Sequence, residues 1–83
     1  MTMAYLMAFV RADGRINNVA ICSSRDQKQR ENGVWVRLYS AEGRDFHEAQ
    51  ARVLQWCRGE GRQHVAWALP ELERRAVTPR YLP

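Results

Sequence analysis

The sequence predicts an α+β fold: an antiparallel β-meander sheet with one helix packed on it, order β-β-β-α-β, a two-layer sandwich. Three observations predict it. Val34 to Ala41 alternates with the period of a strand. Phe46, Ala49, Val53 and Cys57 recur at the spacing of one helix face. Asp13-Gly14 stands between two apolar runs as a hairpin signal.

The elements follow in order. Met3 to Val10 sets Tyr5, Met7 and Phe9 on one side and Ala4, Leu6, Ala8 and Val10 on the other. Both sides are apolar, so this strand is expected at the centre of the sheet and covered on both faces. Asp13-Gly14 suits a two-residue type I′ turn, because glycine accepts the positive φ required. In the run Arg15 to Ser24, the apolar Ile16, Val19 and Ile21 break alternation at Asn17-Asn18, and a bulge there would restore the register. Ser23 to Gly33 contains no apolar residue and reads as a surface loop, or as the tip of a second hairpin closed at Asn32-Gly33.

In the next strand Val34, Val36 and Leu38 are expected to face the core, with Trp35, Arg37 and Tyr39 on the opposite face. Asp45 is a natural N-cap, and Glu48 stands where it can close a capping box. Leu54 and Trp56 widen the helical stripe, and Gly59 suits a left-handed position after the last turn. Gln63 to Leu69 reads as a short strand carrying Val65, Trp67 and Leu69 on one face, ended by Pro70. Glu71 to Ala76 adds a helical turn. Residues 1–76 form a single domain, and 77–83, with Pro79 and Pro83, an extended tail.

Composition narrows the function. A chain of 83 residues holds one domain of modest stability. Its 46% apolar content excludes a disordered chain. Two cysteines exclude a disulfide scaffold, and no apolar run is long enough for a membrane helix. The segment Met1–Val10 has neither a basic leader nor a small-residue cleavage site, so it is expected to be a strand and the protein cytoplasmic, with Cys22 and Cys57 reduced and buried. The net charge is +4, from 13 basic and 9 acidic residues. Every basic residue except Lys28 is arginine, which GC-rich coding alone produces but which also suits phosphate and carboxylate recognition. Acids are interleaved with bases at Arg25-Asp26, Arg30-Glu31, Arg44-Asp45 and Glu73-Arg74, so no polybasic tract forms.

No catalytic constellation is apparent. Cys22, Cys57, His47 and His64 lie on separate elements, without the paired spacing of a metal site. A Cys22–histidine dyad can be written, but a thiol inside a core strand is inert. The element order is also that of the opening of the ribonuclease H-like fold, whose catalytic members place metal-binding acids on the first strand, the helix and the fourth strand. Met3 to Val10 and Gln63 to Leu69 have no acid. Gly59-Glu60-Gly61 follows a helix, whereas a phosphate loop precedes one. The expectation is a protein that is not an enzyme and uses no cofactor or metal.

Surfaces remain. Trp35, Arg37 and Tyr39 alternate aromatic, guanidinium, aromatic on one strand face, which suits a protein hot spot, a single-strand stacking platform, a homodimer seam, or simply rings covered by the tail. Arg25, Lys28 and Arg30 make the polar loop either a solvated tip or an arm for an acidic partner, and Arg74, Arg75, Arg80 and Tyr81 leave the end of the chain equally open. The partner-binding candidates are therefore Trp35, Arg37, Tyr39, Arg25, Lys28 and Arg30.

Two family resemblances bear on this. Val34 to Leu54, a strand led through a short polar turn into a helix, resembles the HicB-type antitoxin core, although that family's Pro-rich loop motifs are not evident. Ser40 to Gly59, with Arg44-Asp45-Phe46 opening the helix, is similar to several small phage-encoded anti-CRISPR proteins, single domains of like length and layout. That resemblance implies an inhibitor that docks on a protein such as a CRISPR effector subunit and occludes its surface. The chain's positive charge runs against DNA mimicry. The expected function is a non-catalytic protein-interaction domain. The alternatives are a small nucleic-acid-binding module and a HicB-like antitoxin.

Overall fold

The structure is a computed structural model and describes residues 1–24 and 32–77, the last by its backbone only. The chain folds as a two-layer α+β unit. Strands β1 (Thr2–Arg11), β2 (Ile16–Cys22) and β3 (Gly33–Gly43) form an antiparallel sheet. Helices α1 (Phe46–Arg58), α2 (Arg62–Val65) and α3 (Leu69–Val77), with a 3₁₀ turn at Ala66–Ala68, pack on one face of it. The predicted α+β class holds.

The sheet order is β2-β1-β3 and not a meander. The strand with no charged side chain between Met3 and Val10 takes the middle, as its two apolar sides predict, and pairs along both edges. Strands β2 and β3 therefore run parallel on either side of it, and no second hairpin joins them. Among the described residues, only one face of β1 lies under helices. Ala4, Leu6 and Ala8 are fully buried there, against Val19, Ala49, Val53 and Cys57. Full burial of a residue such as Leu6 contributes about 1.5–3 kcal/mol. On the other face Met7 and Phe9 are also buried, beside the cross-strand residues Arg37 and Trp35.

The first hairpin closes through three residues, not two. Gly14 N–H donates to Arg11 O (2.8 Å), Arg11 N–H donates to Arg15 O (2.8 Å), and Gly14 has φ +88°. That is a turn followed by a left-handed glycine, the three-residue solution for a hairpin. Asp13 Oδ1 accepts from Arg15 N (3.0 Å) and holds the turn. The anticipated bulge is present: the register passes from Phe9↔Asn18 to Val10↔Ile16, which leaves Asn17 as the extra residue.

Helix α1 begins as its sequence dictates. Asp45 accepts from Glu48 N (2.8 Å). Glu48 reaches back one residue further than a standard capping box, to Arg44 N (2.7 Å) and to the Arg44 guanidinium. Those bonds hold the Glu48 carboxyl below its ordinary range. Gly59 closes the helix with its N–H shared between the Gln55 and Trp56 carbonyls, but at φ −102° it is not the left-handed cap expected. Of the two glycines that follow the helix, the one with a steric duty is Gly61, where any Cβ would enter the Trp56 ring.

The fourth strand is absent: residues 62–77 are helical. Val65, Ala68, Leu69, Leu72 and Ala76 are buried at helical spacing, and that stripe overrides the short alternation of Val65, Trp67 and Leu69. Trp67, set by that alternation on one face with Val65 and Leu69, is instead 57% exposed and donates from Nε1 to His64 O (3.2 Å). Pro70 opens α3 instead of ending a strand, because a first-turn proline gives up an N–H that has no intrahelical partner. The ribonuclease H-like comparison needs a strand after the helix and lapses with it. The domain boundary expected at residue 76 falls inside the last turn of α3, and 78–83 lie outside the described residues. No described helix is long and apolar enough to cross a membrane.

Candidate interaction surface

Which side chains share a face is set by a second bulge. Along β1 and β3 the register runs Phe9↔Trp35, Ala8↔Val36 and Met7↔Arg37, then jumps to Leu6↔Tyr39. Leu38 is the extra residue, and it turns with Tyr39 toward the helices. The expected face of Trp35, Arg37 and Tyr39 is therefore split. Trp35 and Arg37 lie on the helix-free face, and Tyr39 lies on the core side. Strict alternation cannot survive a bulge, because one inserted residue inverts every later side chain.

On the core side Tyr39 stacks on Trp56 of α1, with ring centroids 4.5 Å apart and planes 6° from parallel. Trp56 in turn backs onto Gly61. Beside this stack a groove of about 580 Å³ separates the edge of β3 from α1, lined by Ala41, Glu42, Arg52, Gln55 and Glu60 among others.

The helix-free face carries Met3, Tyr5, Met7 and Phe9 in line along β1, Cys22 opposite Tyr5, and Trp35, Arg37 and Ser40 along β3. Phe9 meets Trp35 edge to face at 5.4 Å, and its ring lies over Gly33. Arg37 Nη1 donates to Ser40 Oγ (3.3 Å). At the hairpin end a cleft of about 310 Å³ is lined by Phe9, Trp35, Asn17, Asn18 and Asn32. The sequence pointed to Trp35 and Arg37, and it aligned Tyr5, Met7 and Phe9 on one side. It did not join the two sets, because that requires the pairing of β1 with β3. The asparagine cleft had one visible signal, the break in alternation at Asn17-Asn18. On the core side of the same end, Val10, Ile16 and Val34 stand side by side, and Ile16 and Val34 are exposed.

Arg25, Lys28 and Arg30 lie outside the described residues. Several other arginines are committed to carboxylates: Arg58 bonds Glu73 (2.6 Å) and ties α1 to α3, and Arg74 and Arg75 both bond Glu71. The two cysteines are on opposite sides of the sheet. Cys57 is buried among the helices, where burial pushes its thiol up to about 11. Cys22 is only half-buried, not enclosed in the core as expected, and burial raises its thiol as well. Among the described residues no group of three or more His, Cys, Asp or Glu side chains converges to hold a metal ion. Comparison with known proteins finds no matching family model, no matching curated protein and no matching solved structure.

Proposed function

We propose that this chain is a non-catalytic protein-binding module that docks through the helix-free face of its sheet. The observation that supports the reading is the make-up of that face: Met3, Tyr5, Trp35 and Arg37 around the buried Met7 and Phe9. Methionine, aromatic residues and arginine are enriched where proteins meet, and truncation costs most at Trp, Tyr and Arg. Arg25, Lys28 and Arg30 belong to the proposal by their charge alone. A module without catalytic groups acts by covering its partner. In the form implied by the resemblance to small phage-encoded inhibitors, it occludes a working surface of a cytoplasmic protein such as a CRISPR effector subunit.

The test is to cross-link the tagged chain in extract, identify the captured protein, and repeat the binding measurement with Trp35→Ala and Arg37→Ala combined. Loss of binding in a variant that keeps its circular dichroism supports the face. Unchanged binding sinks it.

A second reading, a module for single-stranded nucleic acid, is favoured by Arg37 next to Trp35 and by the asparagine-lined cleft beside them. It has less behind it. Phe9 is 6% exposed and cannot stack a base, and arginines such as Arg58, Arg74 and Arg75 are held by glutamates. It requires binding that falls steeply with salt, because each phosphate contact releases counterions.

A further inference from the structure

We propose that the outer edge of β3, with the groove between it and α1, accepts an extended segment of a partner protein as an added strand. Strand β3 is 11 residues long and, among the described residues, pairs on one side only. An open edge of this kind offers unpaired main-chain donors and acceptors to an incoming chain. Addition of a strand then takes affinity from the main chain and specificity from pockets for alternate side chains. The bulge at Leu38 interrupts the edge, so its regular part beside the groove is Tyr39 to Gly43.

Two further observations point to a peptide. First, the carbonyl of Glu42 accepts from Arg52 Nη1 at 3.0 Å. An arginine on α1 reaches across the groove to an edge carbonyl, as the N–H of an added strand would. Second, the groove is graded in chemistry. Tyr39, Ala41 and the half-buried Trp56 form an apolar floor, Glu60 stands on the rim with Arg52, and the exposed Glu42 lies at the same edge on the other side of the strand, opposite Met3. The matching segment is extended, places a small aliphatic side chain over Ala41, and carries Lys or Arg beside it. A second copy of β3 fits less well, because two-fold pairing over Tyr39 to Gly43 sets the carboxylates of both copies along one seam. This surface meets the helix-free face at Ser40 and, through its pairing with Met3, at Glu42, but it excludes Trp35 and Arg37, so the two proposals are tested at different residues.

The test uses a random dodecapeptide library displayed on phage, selected against the full chain. The expected outcome is enrichment of sequences with aliphatic and basic residues alternating. One such peptide, in saturating amount, slows amide exchange at residues 39–43. Glu42→Lys with Glu60→Lys weakens its binding about tenfold or more, while Trp35→Ala with Arg37→Ala leaves it unchanged. The proposal is overturned if nothing is enriched, if protection appears elsewhere, if the charge reversals leave affinity unchanged, or if sedimentation shows the edge already paired with a second copy.

Discussion

Tyr39 and Trp56 lie face to face, 4.5 Å apart and nearly parallel, and they join the strand leaving the Leu38 bulge to the middle of helix α1. Neither ring is fully buried, yet Trp56 is enclosed between Tyr39 and Gly61. The pair should behave as one unit. In a double-mutant cycle with Tyr39→Leu and Trp56→Leu, the coupling is expected at about 0.5–1.5 kcal/mol. Leucine keeps part of the packing, which matters in a chain with roughly 5 kcal/mol of stability to lose. Urea unfolding of the four proteins measures the coupling, and simple additivity would refute the pairing.

The two glycines after α1 are predicted to differ sharply. At Gly61 a methyl group would enter the Trp56 ring, so Gly61→Ala should cost about 1–3 kcal/mol, as overpacking does. At Gly59 the nearest atom to a Cβ is 3.5 Å away and φ is negative, so Gly59→Ala should change stability by less than about 1 kcal/mol. Thermal unfolding of the two variants side by side decides it. Equal effects would mean that Trp56 moves aside freely.

What could be read in the chain followed its local chemistry. The cap at Asp45, the stripe Ala49-Val53-Cys57, the bulge at Asn17 and the central place of β1 each depend on neighbours in sequence, and each is present. What could not be read depended on partners far away. Leu38 bulges to meet β1, and that inverted Tyr39 relative to Trp35. Of the three apolar residues taken for one face of a strand at 63–69, Val65 and Leu69 belong to a longer helical stripe ending at Ala76, and Trp67 lies outside it. Half of the candidate site was therefore visible as Trp35 and Arg37. The other half, Met3, Tyr5, Met7 and Phe9, was visible as a strand face but not as the neighbour of those two.

Alkali should expose the burial of Cys57. Its thiol ionises at about 11 in the folded chain against 9.0 for an ordinary one. Between those values the unfolded chain releases a proton that the folded chain keeps, so stability falls as pH rises. The loss should begin near pH 9 and reach roughly 2 kcal/mol by pH 11, and Cys57→Ala should lose the part of the pH slope due to this thiol. Alkylation gives a second readout. The half-buried Cys22 should react with iodoacetamide in the native protein, and Cys57 only after unfolding. Equal native reactivity would contradict the burial of Cys57.

The Leu38 bulge makes the sharpest test of how the faces are assigned. Arg37 pairs with Met7 and Tyr39 with the next residue, Leu6, so removing Leu38 leaves a regular ladder with both side chains on their present sides. Deletion should cost only the partial burial of one leucine, about 1–2 kcal/mol, and preserve the contact between the Tyr39 and Trp56 rings. Deleting Val36 also removes the bulge, but with a different consequence. Arg37 then falls opposite Ala8 on the core side and Leu38 opposite Met7 on the helix-free face, so the deletion buries a guanidinium and should cost several kcal/mol more, about the whole stability of so small a domain. Urea unfolding with ring-to-ring nuclear Overhauser contacts distinguishes the outcomes. Equal costs for the two deletions, or an unfolded chain without Leu38, would show that Leu38 is not the extra residue and that Arg37 does not face away from the helices.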